Sequence, residues 1–132
     1  MPVVVVYGAT GWIGQQMMEL LEGTSLLLPN GDAEEVTVVA GKARLEQPAV
    51  LQAELAALGP KLARVLNCAG QTGRAHVDWC ETHQDETLQS NLIGALNLAI
   101  ACAALDVHLT YFGTGCLYTY CSEFPSPRPD QC

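Results

Sequence analysis

The chain opens with an unbroken apolar run, Val3 to Tyr7, that stops at Gly8. A β-branched run with no polar alternate predicts a strand buried on both faces, as in the middle of a parallel sheet. From Trp12 to Glu22 the period changes: Ile13, Met17, Leu20 and Leu21 recur at helical spacing, and Gly23 supplies the stop. Residues 23–35 hold Pro29, Asn30 and Gly31 and predict a loop, and Val36 to Ala40 predicts a second strand. Pro48 to Leu58 reads as a helix with proline in its first turn and Gly59-Pro60 as its end. Arg64 to Asn67 is a third strand and Val107 to Phe112 a fourth. Between them, from Asp78 or His83 to Leu105, runs a helical region so rich in Ala and Leu on most sides that it is expected to be largely buried. This alternation predicts an α/β fold: a Rossmann-like, doubly wound parallel sheet with right-handed crossovers and helices on both faces. From Cys121 the prolines at 125, 127 and 129 break any period, so an ordered domain is expected over residues 1–120 and an extended tail over 121–132.

Composition narrows the partners. With 132 residues, 49% of them hydrophobic, the chain can build one core. A net charge of -8 argues against nucleic acid or an anionic membrane as the main partner, because both require clustered Lys and Arg. Five of the six basic residues (Lys42, Arg44, Lys61, Arg64 and Arg74) nevertheless fall in the middle of the chain, and an anion site should use some of them. The six cysteines form no CxxC pair and the three histidines are not at zinc-ligand spacing with them, so reduced thiols and no metal are expected. Residues 92–105 are interrupted by Asn97 and are shorter than the roughly 20 residues a bilayer requires, and no basic segment precedes the N-terminal apolar run. A soluble, cytoplasmic protein is expected, with a homo-oligomer left open.

The chemistry begins at GATGWIG. Backbone N–H groups at a helix N-terminus have no internal partners and carry partial positive charge, so they suit phosphate. Gly8 would turn the chain out of the strand, Gly11 would let a pyrophosphate approach the backbone, and Gly14 would let the helix pack closely. A glycine triplet alone is a weak signal, but this one follows the first strand directly and opens an amphipathic helix. The plain alternative is a tight turn without a ligand. The end of the second strand speaks to which dinucleotide is bound: NAD enzymes place an acid there, whereas a 2'-phosphate calls for a base. This chain reads VVAGKARLE, with Lys42 and Arg44 and no acid before Glu46. NADPH is therefore favoured over NADH, against the alternative that both side chains are merely solvated.

GATGWIG, NCAG (67–70) and TLQSNLIGALNLA (87–99) together resemble the extended short-chain dehydrogenase/reductases. TGRAHVDWCE (72–81) and FGTGCLY (112–118) are similar to strings of the bifunctional 3,5-epimerase/4-reductases that convert UDP-4-keto-6-deoxyglucose to UDP-rhamnose, relatives of dTDP-4-dehydrorhamnose reductase. The resemblance runs from Val3 to Tyr118. It implies that Gly8, Thr10, Gly11, Trp12, Ile13 and Gly14 line the pyrophosphate site, with Arg44 at the adenosine phosphate. It further implies that Asn67, Cys68, Ala69 and Gly70 sit across the switch point, and that Asn91 matches the family's helix asparagine. Thr114 would help polarise the substrate carbonyl, and Cys116 is a candidate acid for epimerisation. Plainer roles stay open: a strand-end cap for Asn67, core for Cys68, a helix cap for Asp78 with Glu81, packing for Trp79, and a structural thiol for Cys116.

The chain departs from that pattern in two respects that matter. Hydride chemistry in the family uses a Tyr as proton donor and a Lys four residues later, yet no tyrosine here (7, 111, 118, 120) has such a lysine. The family's sugar-binding lobe is also missing, so the domain reads as truncated. Two functions follow: the cofactor-binding part of a nucleotide-sugar epimerase/reductase, inactive alone and meeting its substrate only when the C-terminal part is supplied, or a non-catalytic dinucleotide-binding module with a regulatory or partner-binding role.

Overall fold

Val3–Tyr7 (β1) is buried at every position, with a parallel strand on each side of it and helices over both faces of the sheet. The computed structural model describes residues 1–27, 31–73 and 76–114. After β1 come Trp12–Leu21 (α1), a short antiparallel ribbon of Ser25–Leu27 (β2) and Ala33–Glu35 (β3), and then Thr37–Ala40 (β4). Pro48–Ala56 (α2), a 3-10 turn at Gly59–Lys61 and Leu62–Asn67 (β5) follow. The remaining elements are Trp79–Thr82 (α3), Gln84–Leu88 (α4), a π-helical segment Gln89–Gly94, Ala95–Ala104 (α5) and His108–Tyr111 (β6).

The main sheet has the order β4-β1-β5-β6, and all three pairings are parallel. From β1 the chain steps outward to β4, then crosses back over β1 to β5 and on to β6. Right-handed crossovers in opposite directions put their helices on opposite faces. Accordingly α1 packs on β1 and β4, while Val3, Val5, Tyr7 and Val65 share a core with Leu51 and Leu55 of α2 and with Leu98, Ala101 and Cys102 of α5. The doubly wound parallel sheet with helices on both faces is therefore present.

Several local expectations change. Residues 23–35 are not all loop, because β2 and β3 pair there, with Ser25 opposite Glu35 and Leu27 opposite Ala33. The ribbon lies on the surface, so it shows no apolar alternation to read. In α1 only Gly14 is buried and Leu20 is exposed, so its apolar stripe is half covered. The helical region is interrupted at His83, whose backbone (φ -126, ψ 51) leaves the helix, and Asp78 precedes α3 without a side-chain capping bond. Nor is that region largely buried. Leu98, Ala101 and Cys102 face the core, whereas Leu88, Leu92, Leu96 and Ile100 are exposed, because sheet and α2 cover only one side. Its uninterrupted part, Gln84–Ala104, has 21 residues, and an 18-residue stretch of it has a mean hydropathy of 1.3, so the shortness argued for residues 92–105 does not hold for the whole helix. By length and composition it could cross a bilayer, a test that core helices of globular domains also pass. The 121–132 tail lies outside the described residues.

Candidate functional site

Three loops leave the carboxyl ends of β1, β4 and β5 and enclose a cleft of about 450 Å³. Its walls include Gly8, Thr10 and Gly11 after β1, Lys42 to Glu46 after β4, and Cys68 to Gln71 after β5. This is the switch point of the sheet, where strand order reverses and open α/β sheets bind their ligands.

The β1 loop is shaped by missing side chains. Gly8 has φ +75, and a Cβ there would stand 2.5 Å from the Ala69 nitrogen, so the backbone of the β5 loop packs directly against this glycine. A Cβ on Gly14 would strike the Gly8 carbonyl, which seats α1 directly on the turn. Gly11 differs: among the described residues the one atom within 4 Å of its missing Cβ, chain neighbours aside, is the Gly8 oxygen at 3.3 Å, and the residue lines the cleft. Gly11 also occupies the cap position of α1 and brings no side-chain hydrogen bond to its first turn. The first-turn N–H groups are thus left without helical partners at the edge of the cleft.

The β4 loop brings the basic residues. Lys42 and Arg44 both line the cleft, and Arg44 Nε lies 3.4 Å from Glu46 Oε2. Glu46 lines the same wall, so the first acid after the strand is beside the cleft and paired with the arginine. Lys61 and Arg64 stand at the other end of the sheet, before and early in β5, and Arg74 lies outside the described residues.

The β5 loop is held by two asparagines. Asn67 is buried, its Oδ1 accepts from the Ala69 N–H at 3.0 Å, and its Nδ2 has no partner among the described residues. Asn91, in the π-helical segment, donates to the Gln71 carbonyl at 2.8 Å and accepts from the Gln71 N–H at 2.6 Å. Neither lines the cleft; each shapes a loop that does. Burial raises the Cys68 thiol above its ordinary range, which keeps it protonated and poorly nucleophilic. Trp12 and Ile13 are exposed and lie off the cleft walls, as does Thr114. Cys116 lies outside the described residues. His83 is half-buried and stacks on Trp79 with ring centroids 3.8 Å apart, whereas His76 and His108 are exposed.

Of the residues the sequence singles out, Gly8, Thr10, Gly11, Lys42, Arg44, Cys68, Ala69 and Gly70 therefore share one cleft. Sequence reasoning missed Tyr7, Gly41, Ala43, Gln71 and Ser90 on the same walls. Tyr7 and Gly41 adjoin recognised motifs and were within reach; Ser90 arrives through the tertiary fold.

A glycine turn after the first strand, a helix seated on it and a cleft at the reversal of strand order define the Rossmann-like class of α/β domains. Within that class the chain belongs to the NAD dependent epimerase/dehydratase family, whose profile matches residues 4–132. It is 38% identical over 121 residues to a trifunctional UDP-glucose 4,6-dehydratase/UDP-4-keto-6-deoxy-D-glucose 3,5-epimerase/UDP-4-keto-L-rhamnose-reductase of Arabidopsis thaliana, covering 92% of this chain and 16% of that protein. A bifunctional dTDP-4-dehydrorhamnose 3,5-epimerase/dTDP-4-dehydrorhamnose reductase of the same plant is 36% identical, again over 92% of this chain and over 36% of its own length. The crystal structure of the L780 UDP-rhamnose synthase from Acanthamoeba polyphaga mimivirus superposes with a TM-score of 0.72 at 29% identity, covering 88% of this chain and 38% of that one. The chain thus spans well under half the length of these relatives.

Proposed function

We propose that these residues form the NADPH-binding part of a nucleotide-sugar epimerase/reductase that acts on UDP-4-keto-6-deoxyglucose on the way to UDP-rhamnose. One observation carries the reading: the open Gly11 and the Lys42/Arg44 pair stand on two walls of a single switch-point cleft. The pyrophosphate would lie against the N–H groups without helical partners at the start of α1, where a helix N-terminus favours negative charge. Arg44 and Lys42 would take the adenosine 2'-phosphate, Arg44 exchanging Glu46 for a doubly charged partner. Ala69, Gly70 and Gln71 would flank the nicotinamide half, kept in place through Asn67 and Asn91. When bound, the cofactor supplies the hydride.

In this reading Thr114 orients the sugar carbonyl and Cys116 serves as an acid in epimerisation. The sugar and its reaction also need the part of the relatives that this chain does not span. Within these 132 residues no tyrosine has a lysine four residues on, so they bind cofactor without turning over a 4-keto sugar. The same observation favours a second reading, a non-catalytic dinucleotide-binding module that works through a partner. Either role belongs in the cytoplasm, where NADPH is found and the thiols stay reduced.

Calorimetry with NADPH and NADH on the wild type and Arg44→Ala tests the cofactor. NADPH is expected to bind more tightly, and the substitution to weaken it by about 10- to 100-fold, the worth of one charge-assisted phosphate contact, with NADH little changed. Equal affinities that ignore the substitution would remove the phosphate assignment.

A further inference from the structure

The segment that carries Lys42 and Arg44 has no regular structure, yet it is fastened on both sides of Arg44 by side chains from two different helices. Glu54 of α2 accepts from the N–H groups of Lys42 (3.0 Å to Oε1) and Ala43 (2.9 Å to Oε2), and Oε1 also accepts from the Tyr7 hydroxyl at 2.8 Å. Asn97 of α5 donates from Nδ2 to the Leu45 carbonyl at 2.9 Å. Beneath the segment lies the Tyr7 ring, so close that a Cβ on Gly41 would land on it. Neither Glu54 nor Asn97 lines the cleft.

We infer that Glu54 and Asn97 are positioning residues that fix the backbone on either side of Arg44, and so set how strongly the cleft discriminates a ribose carrying a 2'-phosphate from one without. The inference rests on the phosphate reading given above. Its physical basis is preorganisation. A free loop must lose backbone freedom when its side chains close on an anion, and that loss comes off the affinity. Here the ordering is done on folding. Two N–H groups converging on one carboxylate form charge-assisted bonds, stronger than neutral ones, and the Asn97 amide closes the far end. Asn97 also explains why a polar residue interrupts the apolar stretch of α5: its amide is used, at the position where an aliphatic residue would leave the Leu45 carbonyl unpaired.

The test uses two cofactor fragments, 2',5'-ADP and 5'-AMP, titrated calorimetrically into the full chain as wild type, Glu54→Gln, Asn97→Ala and Arg44→Ala. Glu54→Gln keeps the shape but cannot accept all three donors, and is expected to weaken 2',5'-ADP about tenfold while 5'-AMP changes by less than about threefold. Asn97→Ala is expected to act in the same direction by about threefold, and carries the test if Glu54→Gln does not fold. A merely structural role would reduce the folded fraction and depress both fragments equally, leaving their ratio unmoved. A wild-type preference for 2',5'-ADP that falls in Arg44→Ala but survives both tether variants overturns the inference alone. A wild type that binds both fragments equally overturns the phosphate reading, and the inference with it.

Discussion

The loops after β1 and β4 leave adjacent strands of one sheet and face each other across one cleft, but they are held in opposite ways. The β1 loop is built from backbone: the Gly11 N–H donates to the Gly8 carbonyl at 3.0 Å, the α1 backbone sits on Gly8, and the Ala69 backbone abuts it. The β4 loop is built from side chains that reach it from Tyr7, Glu54 and Asn97. A surface made by omitting Cβ atoms is stiff and carries no charge of its own. One made by tethers can present charged side chains, and it depends on groups that titrate.

The largest expected effect tests the backbone-built side. In Gly8→Ala the new methyl meets the Ala69 backbone nitrogen at 2.5 Å, with φ at +75. The left-handed conformation alone costs about 1–2 kcal/mol, and with the collision the loss should reach at least about 3 kcal/mol. Urea unfolding measures it; a variant as stable as the wild type would mean the β1 and β5 loops are not in contact.

Gly11→Val should separate binding from folding in that same loop. Gly11 has φ -77 and ψ 168, a conformation open to any residue, and among the described residues only the Gly8 oxygen lies near its missing Cβ. Stability should change by about 1 kcal/mol, whereas the side chain would occupy the position proposed for the pyrophosphate. Dinucleotide affinity should fall more than about 100-fold, or roughly 2.7 kcal/mol. Unimpaired binding in calorimetry would reduce the motif to a turn.

This contrast explains what could be read from the sequence. The glycine turn, the strand before it and the helix after it are encoded within 20 consecutive residues, and their spacing stated the geometry. Lys42 and Arg44 were legible as charges after a strand. Glu54 was not: it looks like one more polar position on a surface helix, and its partner Tyr7 is 47 residues away. Glu46 was legible as an acid, but sequence alone could not show that it turns back on Arg44. The exposure of Leu88, Leu92, Leu96 and Ile100 was not legible, because a helix rich in Ala and Leu on most sides reads as buried whether or not other elements cover each side.

Alkaline titration should strike the tethered side. Burial, then the Glu54 carboxylate, push the Tyr7 phenol well above its ordinary value, and burial pushes the Cys102 thiol up to about 11. Both groups keep their protons in the folded chain at a pH where the unfolded chain releases them. Their contributions are therefore fully present below pH of about 9 and are lost as pH rises beyond it, at up to about 1.4 kcal/mol per pH unit for each group. Urea midpoints followed from pH 8 to 11 should fall, and less steeply in Tyr7→Phe. An unchanged slope in that variant would place Tyr7 outside the folded network.

The smallest expected effect bears most directly on the cofactor. Arg44 is largely exposed, and its Nε sits 3.4 Å from Glu46 Oε2, so the proposed 2'-phosphate would compete with a carboxylate already in place. An exposed pair of this kind contributes on the order of 0.2–1 kcal/mol, so Glu46→Gln should tighten NADPH by no more than about fivefold. If Glu46 instead accepts the ribose hydroxyls, as an acid near this position does in NAD-binding domains, the same substitution should weaken NADH and leave NADPH unimproved. The two outcomes have opposite signs. Titrating one variant with both cofactors therefore decides whether the side-chain wall of the cleft reads a phosphate through Arg44 or a hydroxyl through Glu46.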